Sequence, residues 1–415
     1  MADVAELRRA ATAEEAGLRP AELAALRDGV DELPARGWCA GAVVLAGRGR
    51  WIALEHATGW AVRCSAYDPE SDTGVELPRE QWEAVTPETL FDLASLTKLF
   101  TAVAAMQQYE AGAVELDREA AAYVPEFGAH GKARITVRQL LTHTSGLRPE
   151  LPFGERPHGP AGTGTGDPAT GDPATAGAAA PSPDDLLAPL WEEEPVLAPG
   201  GTYRYSDLNL IALQQVLERV TGKGLDSLVR ECITGPLGMR STFYGPVPAA
   251  SAAATEDQRR PWAKADRGML RGVVHDENAS ALGGVAGHAG LFSSAADLAV
   301  LCRALLSDGA YGQARILTPA SGQALRTPPG LGFAVDQPWF MGELAGPAGE
   351  AGTRDRWRAA GHTGFTGTSL VIDPVTDTFL VLLANTVHPV RRPPDNLPRA
   401  AAATWLARAA RAAAP

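Results

Sequence analysis

The chain has 415 residues, 45% of them apolar and 21% charged, which suits a large soluble enzyme fold with an inserted lobe and excludes a wholly disordered or fibrous protein. Lys plus Arg total 37 against 49 Asp plus Glu, a formal charge of −12, which excludes a chain-wide basic footprint for nucleic acid or an anionic membrane. The longest apolar runs, such as Phe379 to Ala384, fall far short of the roughly 18 to 20 residues a membrane span needs.

The opening segment MADVAELRRAATAEEAG carries acids throughout and has no apolar core of the secretory kind, so the expected location is cytoplasmic. A helix is expected from Pro20 to Ala35, followed by two β-rich runs in CAGAVVLAGRGRWIALEHATGWAV that turn around Gly47 to Arg50. The next stretch is mostly helical in pattern: Ser95 to Ala111, Val137 to Thr142, Asp207 to Val220, Leu225 to Ile233 and Ser294 to Leu306. Two further β-rich runs, 369 to 374 and 378 to 385, flank an Asp-Pro-Val-Thr-Asp turn, and an Ala-rich helix from about Leu397 to Arg411 closes the chain.

Strands at both ends with helices between them predict an α/β (α+β) fold: one antiparallel sheet flanked by terminal helices, plus an inserted, mostly helical lobe. The expected division is 1–92 with 330–415 for the sheet lobe and 93–329 for the helical lobe, with a cleft where they meet. Residues 154–185, rich in Gly, Pro, Ala and Thr and containing the direct repeat GDPAT, cannot bury a core; they read as a disordered insertion or a mobile flap.

The chemistry starts from a shortage. Of the 37 basic residues only Lys98, Lys132, Lys223 and Lys264 are lysines, and only Lys98 has a serine three residues before it. Arginine stays protonated and cannot serve as a base, whereas a desolvated lysine can be tuned toward neutrality. Ser95-Leu96-Thr97-Lys98 opens a helical pattern, so Ser95 and Lys98 share a face at a helix N-terminus, where free N–H groups favour developing negative charge.

That tetrad gains weight from two later elements, Pro199-Gly200-Gly201-Thr202-Tyr203-Arg204-Tyr205-Ser206-Asp207-Leu208-Asn209 and Gly361-His362-Thr363-Gly364-Phe365. With these three in order, the sequence resembles the serine β-lactamase and penicillin-binding-protein superfamily, most closely its class C-like branch of esterases, D-aminopeptidases and acyltransferases. The likeness runs from the hairpin near Gly41 through ITVRQLLTHTSGL and VHDENASALGGVAGHAGLFSSAADLA to the final strands.

The resemblance implies Ser95 as the acylated nucleophile, with Lys98 and Tyr205 as the proton-transfer pair. It also implies an oxyanion hole from the main-chain N–H groups of Ser95 and Phe365. His362, Thr363, Gly364 and Phe365 would line the substrate site, with His362 where β-lactamases usually carry a lysine, weakening the fixed charge for a β-lactam carboxylate. Asp207 occupies a slot that is often Asn; it would keep Lys98 charged and favour Tyr205 as base, while Asn209 is a second candidate to supply the missing amide.

Other candidates read as structure. His143-Thr144-Ser145-Gly146 reads as the C-terminal turn of a helix. His275, Asp276, Glu277 and His288 lack metal-ligand spacing, and Gly283 to Gly290 reads as a tight loop near the cleft, with no GK[ST] after it. GxSxG is absent, and Cys39, Cys64, Cys232 and Cys302 form no CxxC pair, so neither a disulfide framework nor a zinc ribbon is expected. No cofactor or metal is expected. The partner is a small-molecule ester or amide, with water, an amine or an alcohol as acyl acceptor, and neither nucleic acid nor membrane. The competing readings are a β-lactamase or DD-peptidase, and a non-catalytic β-lactam-binding module.

Overall fold

A computed structural model describes residues 6–153, 183–345 and 359–411. The low-complexity expectation for 154–185 lies outside the described residues, except at its end, where a helix Pro183–Glu192 begins.

The central sheet has eight strands, among them β1 (Gly41–Arg48), β2 (Trp51–Val62), β3 (Ala334–Val335), β4 (Ala360–Thr363), β5 (Ser369–Asp373) and β6 (Thr378–Ala384). Their spatial order is β2, β1, β6, β5, β4, β3, all antiparallel, so the two ends of the chain meet where β1 pairs with β6. The register there sets Val44 opposite Leu382 and Leu45 opposite Val381. Both strands are buried along nearly their full length, which explains why AVVLA and FLVLLA read as continuous apolar runs rather than alternating ones.

Alternation decides which core each residue joins. Ala42, Val44, Leu380 and Leu382 face α1 (Pro20–Asp31) and the last helix, while Val43, Leu45, Val381 and Leu383 face the helical side. Each Val or Leu removed from water in this way contributes about 1.5–3 kcal/mol. Helix α1 stops at Asp31, short of the expected Ala35, because Pro34 disfavours helix at the residue before it and offers no N–H to continue the ladder.

The helical side is built from α2 (Thr97–Glu110), α3 (Val137–Leu141) and α4 (Asp207–Thr221), whose apolar faces share one core. It also holds a three-stranded sheet of Phe91–Asp92, Phe243–Tyr244 and Leu291–Ser293, and a hairpin of Ala254–Gln258 with Gly268–Arg271. Helix α5 (Ala295–Leu306), capped by the Ser294 side chain on Asp297 N–H, packs on β6, β5 and β1, the sheet face opposite α1. The closing helix α6 (Leu397–Ala410) lies against α1 and buries Ala402, Ala403, Leu406 and Ala409.

Candidate active site

Ser95, the expected start of this helix, lies instead in a 3₁₀ turn Ala94–Leu96 just before α2, which begins at Thr97. The cause is Ala94, held at φ +46, a left-handed conformation that a residue with a Cβ adopts only when its surroundings enforce it. The enforcing group is Asp92: its Oδ1 accepts from Ala94 N–H at 2.8 Å and its Oδ2 from His275 N–H at 2.6 Å. Burial raises the pKa of Asp92, against the pull of these N–H donors.

Lys98 is fully buried one turn later. Its Nζ donates to Ser95 Oγ at 2.7 Å and to the carbonyl of His288 at 3.1 Å, and it lies 2.8 Å from the Asp207 carboxylate. Burial works against the ammonium form, but Asp207 and then Tyr205 outweigh it, so the amine is held above its ordinary range. Asp276 and His288, joined at 2.9 Å, complete this corner. Asp207, Asp276 and His288 present ligand atoms within 4.8 Å of one another, a grouping that spacing along the chain did not reveal, and the fixed cation of Lys98 already faces it. Burial would raise the Asp276 carboxyl, but His288 overrides it and holds the group low. The glycine loop expected near the cleft is what supplies the His288 carbonyl; a Cβ on Gly287 would lie 2.1 Å from Leu210 O.

Tyr205 donates to Ser95 Oγ at 2.9 Å, so two proton-bearing groups converge on one oxygen. Burial pushes the phenol upward while the Lys98 charge pulls it down, and burial prevails. The sequence reading missed what stands behind Tyr205. His143 packs its ring at 4.8 Å from the tyrosine ring, and its Nδ1 faces Ser206 N–H and Asn209 Nδ2, both at 3.1 Å. The HTSG turn is indeed a helix C-terminus, but it also docks the PGGTYRY segment, through Gly200 N–H to Thr144 O and Arg204 N–H to His143 O, both 2.8 Å. Gly146, at φ +81, is required there, since a Cβ would lie 2.0 Å from Leu197 O. Burial, then the charge of Lys98, press His143 down to about 3.

Asn209, in contrast, is not brought to the cleft. It is fully buried, bonded to Ser145 Oγ at 2.5 Å and to His143, on the far side of α4 from Asp207.

The GHTG segment forms β4 and the residues after it. Gly364 passes so close to the Ser95 turn that a Cβ would sit 2.4 Å from Leu93 O, and Thr366 and Thr368 hydroxyls bond Asp92 O at 2.7 Å and Leu93 O at 3.0 Å. These ties set Phe365 beside Ser95. His362 faces Tyr205, ring to ring at 6.0 Å, and burial followed by the Lys98 charge lowers it to about 4, so it is neutral at pH 7. Thr363 and Gly364 line the same cavity as Ser95, Tyr205 and His362.

Two supports of this strand were not visible in the sequence. Arg399 of α6, buried, donates to Gly364 O at 3.0 Å. Beneath the half-exposed Phe365, His275 stacks at 5.6 Å and Arg391 at 5.8 Å, both bound to the buried Glu256, which they draw down to about 2 against the effect of burial.

An antiparallel sheet edge meeting a helix N-terminus over a Ser–Lys–Tyr cluster defines a protein of the serine β-lactamase fold. The family model for Beta-lactamase matches residues 26–404, and the chain belongs to this family of serine hydrolases. It is 32% identical over 337 residues to an Escherichia coli protein named "Putative D-alanyl-D-alanine carboxypeptidase", covering 76% of this chain and 74% of that protein. A relative of the same name from Salmonella agona is 31% identical over 343 residues, covering 75% and 73%. Among solved structures, "EstCE1, a hydrolase with promiscuous acyltransferase activity" superposes with TM-score 0.65 at 22% identity, over 92% of this chain and 99% of that one. A class C β-lactamase from Rhodobacter sphaeroides does so with TM-score 0.63 at 23% identity, over 92% and 98%. At these identities the two structures share the fold. Among the described residues no helix is long and apolar enough to cross a membrane.

Proposed function

We propose that the protein is a serine acyl-transfer enzyme that forms an acyl-enzyme on Ser95 from an ester or amide and passes the acyl group to water, an amine or an alcohol. The observation that carries this reading is the convergence of Lys98 Nζ and Tyr205 OH on Ser95 Oγ, at 2.7 and 2.9 Å.

In this reading Asp207 holds Lys98 as an ammonium, which cannot accept a proton, so the base that takes the Ser95 proton is the minor phenolate form of Tyr205, which burial disfavours and the adjacent Lys98 charge partly restores. Ser95 Oγ bonds to the carbonyl carbon, and the oxyanion is met by the N–H groups of Ser95 and Phe365. Collapse breaks the bond to the leaving group, which departs with the proton from Tyr205. The acceptor then gives its proton to Tyr205, attacks the acyl-serine, and Ser95 regains a proton as it leaves. His362 and Thr363 line the cavity beside the reacting carbonyl, while Asp207, which does not line it, acts through Lys98. Asn209 takes a supporting place behind Tyr205.

A second reading, removal of a terminal D-alanine from a peptide, draws on the name carried by relatives about a third identical. Intact-protein mass after mixing with a nitrophenyl ester, with and without an added amine, tests the first. Wild type gains one acyl mass that clears faster with amine, and Ser95→Ala gains none. An equal adduct on Ser95→Ala, or nitrophenol release by that variant at the wild-type rate, overturns the assignment.

A further inference from the structure

The cavity at Ser95 encloses about 940 Å³ and does not end at the polar cluster. Its far part runs between α1 and α6 and is walled by Leu26, Val30, Trp38, Trp339, Phe340 and Trp405. The arginines on its rim are already engaged: Arg36 with Glu32, Arg392 with Asp72, and Arg399 with Gly364 O, Asn396 and the Trp38 ring. Trp339 is 49% exposed, a large apolar surface left facing the opening.

Gly29 adds an independent observation. It sits inside α1, where glycine is disfavoured for its backbone entropy, it lines this cavity, and a Cβ built on it meets no atom within 4 Å. Packing and backbone conformation do not require glycine there. A side chain there would extend into open space at the cavity wall.

From this geometry, and resting on the reading of Ser95 as the acylated nucleophile, we infer that the α1–α6 chamber binds a hydrocarbon group of the substrate, an alkyl chain or aryl ring larger than acetyl. The enzyme is then selective for hydrophobic esters. An apolar wall repays each methylene withdrawn from water with roughly fourfold in binding and repays a charged peptide group with nothing. The chamber opens directly on Ser95, so the group it holds is covalently attached to the reacting carbonyl, on its acyl side or its leaving-group side.

Two ester series on the full chain test this: nitrophenyl esters from acetyl to octanoyl, and acetate esters from ethyl to octyl and naphthyl. We expect kcat/KM to rise at least tenfold along one series, which also tells which side of the carbonyl enters the chamber. Gly29→Trp, which fills the chamber, lowers the long-to-short ratio at least fivefold, and Trp339→Ala, which removes wall from an exposed position, lowers it as well. Ratios that stay flat in both series, or that both variants leave unchanged, overturn the chamber. Ester turnover by Ser95→Ala at the wild-type rate overturns the underlying reading instead, so the two failures are distinguishable.

Discussion

Replacing Asp207 by Asn tests whether the carboxylate sets the charge of Lys98. Asp207 lies 2.8 Å from a fully buried Nζ, and at an effective dielectric of about 20 such a pair is worth on the order of 6 kcal/mol. Asp207 is itself 19% exposed and Asp276 remains nearby, so the realised loss falls near the lower end of the roughly 3–5 kcal/mol seen when a buried pair loses one partner. At about 1.4 kcal/mol per factor of ten, the proton affinity of Lys98 drops on the order of a hundredfold. Burial, the largest influence on this amine, is then opposed only by Tyr205 and the nearby Asp276, and the amine falls back toward its unfolded value of 10.5.

The sign follows from proton counts. In wild type Lys98 is raised, so its contribution is fully present below 10.5 and is lost only as pH climbs through the folded value. In Asp207→Asn the folded and unfolded values draw together, so the stability that Lys98 contributes, and its loss above pH 10.5, both shrink toward zero. Urea unfolding at pH 9, 10 and 11 reads the slope directly: wild type loses stability faster than the variant as pH rises. With the Lys98 proton held less tightly, the acid limb of kcat/KM on a nitrophenyl ester also moves to lower pH. Parallel stability slopes together with an unmoved acid limb refute the argument, and with it the reason for assigning Tyr205 as base.

Buried histidines make the fold acid-sensitive. His143, His362 and His388 are pressed to about 3, 4 and 4 from 6.5, in each case first by burial. Their contribution is complete above 6.5 and is lost as pH falls toward 4, with a slope approaching three protons, up to about 4 kcal/mol per unit. Thermal melts at pH 7 and 5 that coincide would contradict this. Glu256→Ala strips Arg391 and His275 of their buried partner beneath Phe365, leaving Arg391 only Glu277. We expect a loss of about 3–5 kcal/mol by urea unfolding and a drop in kcat of at least tenfold, whereas a stable, fully active variant would show that Phe365 needs no such support.

What was legible in the sequence depended on contrast. Lys98 stood out because only four lysines punctuate the arginines; Arg399, which holds Gly364 O, was invisible among the arginines for the same reason. The strands read correctly because β1 and β6 are apolar on both faces, and their sharing one sheet was expected from strands at both ends of the chain, whereas their direct pairing is visible only in the fold. Asn209 was placed in the cleft by its nearness in sequence to Asp207, yet two steps along a helix turn a side chain by about 200°, which sends one residue toward Lys98 and the other into the core behind His143. The HTSG turn had the right local reading, but its contact with Tyr205 spans more than sixty residues, and no periodicity encodes such a distance. The same limit governs the corner of Asp276 and His288, and the chamber between α1 and α6, whose walls come from the two ends of the chain. Residues that react were legible because their chemistry restricts their type. Residues that position them were not, since any side chain of suitable shape could fill those places, and only the folded backbone says which one does.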